Sequence, residues 1–346
     1  MKVNLKIEKD VALADLTTLK IGGKARFFVR AETENEIIEA FNFAEENEFD
    51  LFVLGGGSNV LIADEGFDGL VLQIALKGIE NKENIVTAQA GEDWDEFCAF
   101  CVERKLAGIE CLSGIPGLVG GTPVQNVGAY GQEVSETITK VRVFDRKTRE
   151  ILELTNTDCK FSYRTSIFNT TERNRFIVLA VTFALKADGK PKIVYKDLRE
   201  FFAGKRPNLA RTREAVIKIR ADKSMVINSK DINTRSAGSF FKNPIVSNEK
   251  FAEMSEKFGN PIPSFPFDET SVKIPAAWLI EQSGFRKGYQ KGCAGLSTKH
   301  TLALINCGGA TANDIIALKH EIQTKVKVNF DVELKPEPVF VGFDSF

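Results

Sequence analysis

Two glycine-rich runs near the start of the sequence are of the type that holds a phosphate group. The first is Gly-Gly-Gly-Ser-Asn at 55–59, and the second extends over residues 113–131. Backbone that lacks Cβ atoms can approach a ligand closely and adopt positive φ, so that consecutive N–H groups converge on anionic oxygens. A single run of this kind is most often a tight turn, but two in one region predict a cradle for a diphosphate.

Neither run matches the common nucleotide-binding motifs. A G-x-G-x-x-G fingerprint that began at Gly55 would need glycine where the chain has Val60, and an apolar run follows instead of a helix. No Gly-Lys pair has a glycine five residues before its own glycine, so a Walker A loop is absent from the sequence. A nucleotide cofactor would therefore be held by another fold.

Cysteine and histidine do not suggest a metal or redox site. Cys98 and Cys101 have a suitable spacing, but they belong to an apolar stripe at helical spacing between Asp93 and Leu106, and no second pair exists. We predict two buried core thiols and no metal. The two histidines have no carboxylate or nucleophile at motif spacing.

The hydrophobic pattern predicts α/β units in both halves of the chain. The predicted strands are 26–29, 51–54, 70–76, 85–90, 141–144, 177–185 and 301–306. The predicted helices are 34–46, 93–106, 275–282 and 311–328. Each glycine-rich run is expected to leave a strand. The basic segment 189–207 is predicted to be an exposed excursion, and a change of composition predicts a domain boundary near residue 222.

Composition excludes several classes of protein. The 346 residues correspond to two or three domains of ~150 residues each. A formal charge of −1 provides no global positive field, so neither nucleic acid nor a membrane surface is expected as a partner. The sequence shows no signal-peptide pattern in its first ten residues, and its best apolar run, 177–185, is too short to span a membrane. We expect a cytoplasmic protein and, because no long exposed apolar stripe is evident, a monomer.

The glycine-rich runs belong to a longer set of motifs that resembles one enzyme family. In chain order the motifs are Gly-Gly-Gly-Ser-Asn at 55–59, Leu-Ser-Gly-Ile-Pro-Gly at 112–117, Gln-Asn-Val-Gly-Ala-Tyr-Gly at 125–131, Ser-Tyr-Arg-Thr-Ser-Ile-Phe at 162–168, Ala-Gly-Ser-Phe-Phe-Lys-Asn-Pro at 237–244, Ala-Trp-Leu-Ile-Glu-Gln at 277–282 and Pro-Glu at 336–337. Together they span nearly the whole chain. The sequence therefore resembles the UDP-N-acetylenolpyruvoylglucosamine reductases, flavoenzymes of peptidoglycan precursor synthesis.

This resemblance implies an α+β fold. It consists of an FAD-binding domain of the vanillyl-alcohol-oxidase (PCMH) type, made of two α/β subdomains, and a C-terminal α/β substrate-binding domain. The expected boundaries are 1–72 and 73–222 for the two subdomains, 223–330 for the substrate-binding domain, and 331–346 for a tail that returns to the active site.

The resemblance also implies the reaction and its catalytic residues. NADPH would reduce bound FAD, and hydride would then pass to the methylene carbon of UDP-N-acetylglucosamine enolpyruvate. Arg164 matches the arginine that faces the substrate carboxylate, and Ser239 matches the proton donor. Glu337 matches the terminal glutamate, which can donate a hydrogen bond only when protonated or through water. The family has Val-Arg after this glutamate, whereas this chain has Pro338 and Val339, which puts the local backbone in question.

The predicted ligand contacts follow the same motifs. Those assigned to FAD are Gly55, Gly56, Gly57, Ser58, Asn59, Ser113, Gly114, Ile115, Pro116, Gly120, Gly121, Gln125, Asn126, Gly128, Ala129 and Tyr130. Those assigned to the substrate are Tyr163, Tyr195, Lys223, Asn243, Lys242 and Gln282. Tyr195 lies in the segment 189–207, which resembles the longer branch of the family, in which an extra loop brings a tyrosine over the substrate.

Two alternative functions share part of this pattern. A flavin oxidase of the same fold would use O2 as its electron acceptor and would not need Arg164, Ser239 and Glu337 together. A flavin- or nucleotide-binding protein without catalysis would have no use for a proton donor and two charged groups in three distant segments.

Overall fold

The computed structural model describes residues 5–343, which divide into two compact units. The first unit contains the described residues up to Ala12, together with Lys24–Ser58 and Gly66–Val226. The second contains Leu13–Gly23, Asn59–Glu65 and the described residues from Ile227 onward. The two short segments of the second unit fall inside the predicted first subdomain, 1–72. The ends of that subdomain and of the predicted tail, residues 1–4 and 344–346, lie outside the described residues.

The described residues form seven α-helices. In chain order they are α1 (Glu34–Glu46), α2 (Trp94–Glu103), α3 (Lys196–Phe202), α4 (Leu209–Asp222), α5 (Asn248–Phe258), α6 (Ala276–Gln282) and α7 (Ala312–Phe330).

Twenty-one strands are present in the same part of the chain. They are β1 (Glu8–Ala12), β2 (Lys24–Ala31), β3 (Leu51–Leu54), β4 (Val60–Ile62), β5 (Phe67–Ile74), β6 (Ile79–Lys82), β7 (Ile85–Gln89), β8 (Leu106–Ala107), β9 (Gly128–Ala129), β10 (Gln132–Glu133), β11 (Ile138–Asp145), β12 (Glu150–Thr155), β13 (Phe176–Ala184), β14 (Lys186–Ala187), β15 (Ile245–Ser247), β16 (Phe265–Pro266), β17 (Ser271–Lys273), β18 (Gln290–Lys291), β19 (Ala294–Leu296), β20 (Leu304–Asn306) and β21 (Val339–Val341).

The first unit begins with a mixed four-stranded sheet in the order β1-β2-β5-β3. β2 and β3 both pair in parallel with β5, while β1 is antiparallel to β2. Helix α1 connects β2 to β3, and its N-terminus is fixed by a capping box between Thr33 and Glu36. Its buried residues Ile37, Phe41 and Ala44 recur at helical spacing and join the core of this unit.

A second sheet of the first unit is entirely antiparallel and has the order β12-β11-β13-β7-β6. Helix α2 packs its buried Trp94, Phe97 and Cys98 into the same core. The rings of Phe97 and of Phe183 on β13 lie 5.0 Å apart. This packing fixes the segment that leads from α2 into the second glycine-rich run.

The second unit has its own core, to which helices α6 and α7 contribute Leu279, Ile315 and Ile322. Its strands form three small sheets, β15-β17-β16, β18-β19-β20 and the parallel pair β21-β4. The pairing of β4 with β21 joins the residues after the first glycine-rich run to the end of the chain. The Asp64 carboxylate then accepts from the Ala312 N–H at the start of α7, at 2.7 Å.

The structure confirms most of the predicted elements and corrects two points. The helix predicted at 34–46 and the strand at 51–54 have the predicted bounds. The expectation that each glycine-rich run leaves a strand is wrong for the second run, because it follows a 3-10 turn at Glu110–Leu112. The segment 189–207 is not only an exposed excursion, since it contains α3, and α4 was not predicted.

The described residues contain neither a membrane-spanning helix nor a cluster of metal-ligating side chains. Between residues 5 and 343, no helix is long and apolar enough to cross a membrane. Cys98 and Cys101 are buried on α2, as predicted, and burial raises the pKa of the Cys101 thiol to about 12. No cluster of histidine, cysteine and carboxylate groups in this range is arranged to hold a metal ion.

Candidate functional site

The two glycine-rich runs lie against each other in the first unit. A Cβ atom added to Gly56 would be 2.8 Å from Cα of Gly117, so backbone packs directly on backbone. The Ser58 hydroxyl donates to the carbonyl of Pro116 at 2.9 Å and ties the end of the first run to the second. The structure thus brings together the two loops in which the sequence predicted a cradle.

Gly55 and Gly121 have space in front of them that no protein atom fills. Neither has a positive φ, and nothing lies within 4 Å of a Cβ added to either. The N–H groups of Ile115 and Gly117 have no hydrogen-bond partner among residues 5–343. Neither a positive φ nor tight packing requires glycine at these two positions. Together with the unpaired N–H donors, they suit the close approach of an anionic ligand. The loops therefore fit the diphosphate of FAD.

Two polar side chains assigned to FAD, those of Ser113 and Asn126, are engaged within the protein. The Ser113 hydroxyl is buried and donates to the Glu110 carbonyl at 2.8 Å. The Asn126 amide donates to the Glu133 carboxylate at 2.8 Å and to the Ser162 carbonyl at 3.0 Å. Contacts from this region to a ligand therefore fall mainly to the backbone, and the side chains hold the loops in shape.

The backbone N–H and carbonyl of Gly114 are both hydrogen bonded to side chains on two helices of the first unit. Its N–H donates to the Asp95 carboxylate on α2 at 2.5 Å, and its carbonyl accepts from Nε of Arg220 on α4 at 3.1 Å. Arg213 on α4 also donates to Asp95 from both terminal nitrogens, at 2.5 and 2.8 Å. Burial opposes ionisation of Asp95, but the hydrogen bonds from Arg213 and Gly114 outweigh it and lower the pKa of this carboxyl.

Arg164 follows Tyr163 in a loop between β12 and β13 and has a left-handed backbone, with φ of 55°. Its guanidinium donates to the carbonyl of Gly128, in the second glycine-rich run, at 2.6 Å. It also lies 5.2 Å from the centre of the Tyr163 ring. The predicted carboxylate-binding arginine is thus fixed to the predicted cofactor loop in the same unit.

The predicted tyrosine loop rests on the second glycine-rich run. The rings of Tyr195 and Tyr130 meet edge to face at 5.3 Å, and Tyr195 is 43% exposed. Lys223 donates to the Asp197 carboxylate at 2.6 Å, just after Tyr195 at the start of α3. These contacts bring three predicted ligand residues of the first unit, Tyr130, Tyr195 and Lys223, into one region.

Ser239 and Glu337 lie on neighbouring extended segments of the second unit. The Glu337 N–H donates to the carbonyl of Phe240 at 2.9 Å, and Phe241 forms a β-bridge with Pro336. The rings of Phe240 and Phe241 are fully buried. Two buried aromatic residues therefore anchor the strand-like segment that carries Ser239, while both predicted catalytic side chains remain partly exposed.

Asn59 contacts the backbone on both sides of Pro338. Its side-chain amide donates to the Glu337 carbonyl at 3.3 Å, and its own carbonyl accepts from the Val339 N–H at 3.0 Å. Proline has no N–H, and none is needed between these two contacts. Pro338 and Val339, where the family has Val-Arg, are therefore compatible with a fixed backbone around Glu337. Asn59, which was predicted to bind FAD, makes the contacts that fix this backbone.

The remaining predicted substrate residues also lie in the second unit. The side-chain oxygen of Asn243 accepts from the Ala276 N–H at 2.8 Å and so caps α6, at whose other end Gln282 is exposed. The Lys242 N–H donates to the Lys335 carbonyl at 2.9 Å. These bonds fix the backbone between Ser239 and α6.

Sequence analysis missed the residues that hold the second glycine-rich run, namely Asp95, Arg213 and Arg220. A signal existed for Arg220. Leu209, Val216 and Arg220 recur at helical spacing, so an arginine occupies a position of the buried stripe of α4. A buried arginine requires polar partners, and here they include the carbonyls of Gly114 and Met225 and the side chain of Tyr130.

Family models match both parts of the chain. Residues 230–341 match the family model of the UDP-N-acetylenolpyruvoylglucosamine reductase C-terminal domain, and residues 25–155 match that of an FAD binding domain. The predicted fold class, an FAD-binding domain followed by a C-terminal domain, is confirmed.

Individual relatives cover nearly the whole chain. A UDP-N-acetylenolpyruvoylglucosamine reductase of Streptomyces coelicolor is 46% identical over 96% of this chain and 90% of its own length. One of Thermobifida fusca is 43% identical over 96% of this chain and 98% of its own. The crystal structure of the reductase of Thermus caldophilus is similar with a TM-score of 0.69 and 26% identity, covering 97% of this chain and 99% of that one.

Proposed function

Because the chain belongs to the UDP-N-acetylenolpyruvoylglucosamine reductase family, we propose that it reduces UDP-N-acetylglucosamine enolpyruvate to UDP-N-acetylmuramate with NADPH. The family resemblance predicted from the motifs is confirmed, as is the enzyme class, a flavin-dependent oxidoreductase that uses FAD and NADPH. The observation that carries the proposal is the identity of 46% to a reductase of this name over 96% of the chain.

Bound FAD would supply the two-electron chemistry, accepting hydride from NADPH and delivering hydride to the methylene carbon of the substrate. The residues of the two glycine-rich runs would hold it, mainly through backbone N–H groups such as those of Ile115 and Gly117. A Walker A loop and a G-x-G-x-x-G fingerprint are both missing from the sequence, so NADPH and the substrate would occupy the same pocket in turn.

Arg164 would bind the carboxylate of the enolpyruvyl group. Negative charge develops on the carbon next to this carboxylate when hydride is added, and a guanidinium fork can stabilise that charge with two hydrogen bonds. Its contact with the Gly128 carbonyl at 2.6 Å restrains the guanidinium, which reduces the ordering cost of binding.

Ser239 would donate the proton from its Oγ to the carbon next to the substrate carboxylate. A serine hydroxyl is a weak acid, and it serves here because the carbanion-like intermediate is strongly basic. The backbone bonds of Phe240 to Leu302 and Glu337, at 2.8 and 2.9 Å, fix the segment from which this hydroxyl extends.

Glu337 would complete the site by hydrogen bonding the developing enediolate. That role needs a proton on its carboxyl group or a bridging water, and a second carboxylate in contact favours the protonated form. The bonds of Asn59 to Glu337 and Val339 hold the backbone that presents this group.

The remaining assignments extend the same proposal. Tyr195 and Lys223 would contact the substrate diphosphate together with Lys242, Asn243, Gln282 and Tyr163, and the segment 189–207 would make this chain a member of the branch with the longer tyrosine loop. The FAD-binding domain would comprise residues 1–72 and 73–222, and residues 223–330 would bind substrate. We further propose a cytoplasmic monomer.

Product analysis tests the proposal. Purified protein is incubated without oxygen with NADPH and UDP-N-acetylglucosamine enolpyruvate, and the product is identified by mass spectrometry. The expected result is one NADPH consumed for each molecule of a product that carries two additional hydrogen atoms. NADPH consumption that requires O2 and yields hydrogen peroxide would instead identify the flavin oxidase, and no consumption in either condition would identify a binding protein.

A further inference from the structure

We propose that Asp95, Arg213 and Arg220 are positioning residues for the cofactor, because they hold the Gly114 peptide in the shape that aims the following N–H groups at FAD. We call these three residues the Gly114 clamp. The inference rests on the proposed function, since it concerns how that function's cofactor is held. None of the three belongs to the glycine-rich runs or to the predicted catalytic set.

Gly114 needs external support to keep a single backbone conformation. Its φ of 72° is a left-handed conformation, which is accessible to glycine but is only one of several that a free glycine populates. The loop after it, Ile115–Leu118, is half-buried and contains a proline. Without contacts at Gly114, the loop would therefore populate several orientations.

The clamp fixes both polar backbone atoms of Gly114, its N–H from α2 and its carbonyl from α4. Asp95 on α2 accepts from the N–H at 2.5 Å, and Arg220 on α4 donates to the carbonyl at 3.1 Å. Arg220 is 7% exposed, and its guanidinium also donates to the Met225 carbonyl at 2.8 Å. A buried guanidinium with several partners has little freedom to release any of them.

Arg213 fixes the Asp95 carboxylate, which accepts the hydrogen bond from the Gly114 N–H. Both of its terminal nitrogens donate to Asp95, and the side chain of Arg213 is only 17% exposed. Such a fork sets the plane of the carboxylate as well as its place. The position of the Gly114 peptide is therefore determined by side chains on two helices, α2 and α4, which both contribute buried residues to hydrophobic clusters of the first unit.

The clamp acts on the cofactor through the N–H groups that follow Gly114 along the chain. The next N–H groups along the chain, those of Ile115 and Gly117, have no partner within residues 5–343, and Gly117 packs on Gly56 of the other glycine-rich run. Donors that are already aimed bind an anion without the cost of ordering the loop. Loss of the clamp should thus weaken FAD binding beyond its effect on folding.

The first unit offers a closely matched control pair. Asp145 is buried, accepts from Arg175 through two nitrogens at 2.7 and 3.0 Å, and accepts from the backbone N–H groups of Lys147, at 2.9 Å, and Thr148. Like Asp95, it is paired with an arginine and accepts from backbone N–H groups, but it is more deeply buried than Asp95 and supports no glycine-rich run. A change at Asp145 reports the general cost of losing such a pair.

The test compares Asp95→Ala with Asp145→Ala in the holoenzyme. The dissociation constant of FAD is measured from the fluorescence of FAD released on dilution, and the unfolding temperature is measured at saturating FAD. We expect Asp95→Ala to raise the FAD dissociation constant by at least about tenfold, as loss of a charged hydrogen bond implies, while Asp145→Ala changes it by less than about twofold.

An exchange of the two charges separates positioning from simple stabilisation. The double variant Asp95→Arg, Arg213→Asp retains an ion pair between α2 and α4 but removes the acceptor beside the Gly114 N–H. We expect it to recover unfolding temperature relative to Asp95→Ala without recovering FAD affinity. Should it fail to fold, the isosteric Asp95→Asn gives the converse comparison, because it keeps an oxygen that can accept from the Gly114 N–H but removes the charge. We expect its FAD affinity to lie between those of the wild type and Asp95→Ala, although it has lost the ion pair.

Two outcomes would overturn the inference in distinguishable ways. If Asp95→Ala and Asp145→Ala lose FAD affinity equally, or if the exchanged pair restores it, the clamp has only a structural role and the proposed function stands. If the wild-type protein itself takes up no FAD, the proposed function fails and the inference fails with it.

Discussion

The glycine-rich cradle of the first unit presents its backbone to a ligand, whereas the two segments of the second unit that carry Ser239 and Glu337 present their side chains. In the cradle the hydroxyl of Ser113 and the amide of Asn126 are engaged internally, so the backbone faces outward. Around Ser239 the backbone is used in pairing, and the side chains remain partly exposed. Cofactor binding should therefore depend on backbone shape, and proton transfer on individual functional groups.

The largest effect in this comparison is expected at Ser239. Ser239→Ala should slow reoxidation by the enolpyruvyl substrate by about 10²- to 10⁴-fold, the range of general acid catalysis. FAD content and flavin reduction by NADPH should stay near wild type. Both half-reactions are followed by anaerobic stopped-flow absorbance. Ser255→Ala, which removes a hydroxyl bonded within α5, is the control, and an equal loss in both half-reactions would exclude Ser239 as proton donor.

Next in size is a pair of glycine variants. Gly121→Ala places a methyl group where no protein atom lies within 4 Å, so it should leave the stability of FAD-free protein unchanged or slightly raised. It should weaken FAD binding by about 1–3 kcal/mol, roughly 5- to 150-fold in Kd, if the cofactor fills that space.

Gly56→Ala provides the contrast within the same cradle. Its methyl group would meet Cα of Gly117 at 2.8 Å, so the protein itself should lose about 1–3 kcal/mol of stability. Unfolding temperature with and without FAD, together with FAD titration, distinguishes the two variants. Unchanged FAD affinity in Gly121→Ala would show that the cofactor does not approach this glycine.

A smaller effect is expected at Asn59. Asn59→Ala removes the bond to the Glu337 carbonyl, and loss of one neutral hydrogen bond of about 0.5–1.5 kcal/mol corresponds to roughly a 2- to 12-fold loss in kcat. FAD affinity should change little. A large loss of FAD affinity with normal kcat would instead support the direct contact to FAD that the sequence predicted.

The smallest effect is the pH dependence of stability that arises from the control pair, Asp145 and Arg175. Hydrogen bonds from Arg175 lower the pKa of Asp145 in the folded protein. A lowered folded pKa stabilises the protein above the unfolded pKa of about 3.9, and this stabilisation is lost as pH falls through the folded value. Asp145→Asn should therefore lower the unfolding temperature at pH 7, and its difference from wild type should narrow below about pH 4. A constant difference would contradict the role of the charge.

Local patterns predicted much of the fold because they are encoded over short stretches. Helix α1 has its cap and its apolar stripe within fourteen consecutive residues, 33–46, and its bounds were predicted. The parallel pairing of β4 with β21 joins Val60 to Val339, and no local pattern reports a contact across that separation. This pairing is why residues 59–65 belong to the second unit.

The candidate site shows the same limit. Glycine-rich motifs located the cradle, since the lack of Cβ atoms is visible in the sequence. The residues that hold it were missed because α4, which is rich in charge, was not predicted. Arg213 resembles a solvent-facing residue until its partner is known, and the position of Arg220 on the buried stripe becomes visible only once the helix is recognised. The roles of Arg164, Ser239 and Glu337 came from the family resemblance, as no spacing between distant segments predicts them.

The measurement that tests the account most directly is the visible absorption spectrum of the purified protein through one anaerobic cycle. A yellow protein should lose its flavin band on addition of NADPH and regain it only when UDP-N-acetylglucosamine enolpyruvate is added. A colourless protein that FAD cannot reconstitute would contradict the account, and so would a yellow protein whose colour returns only in air.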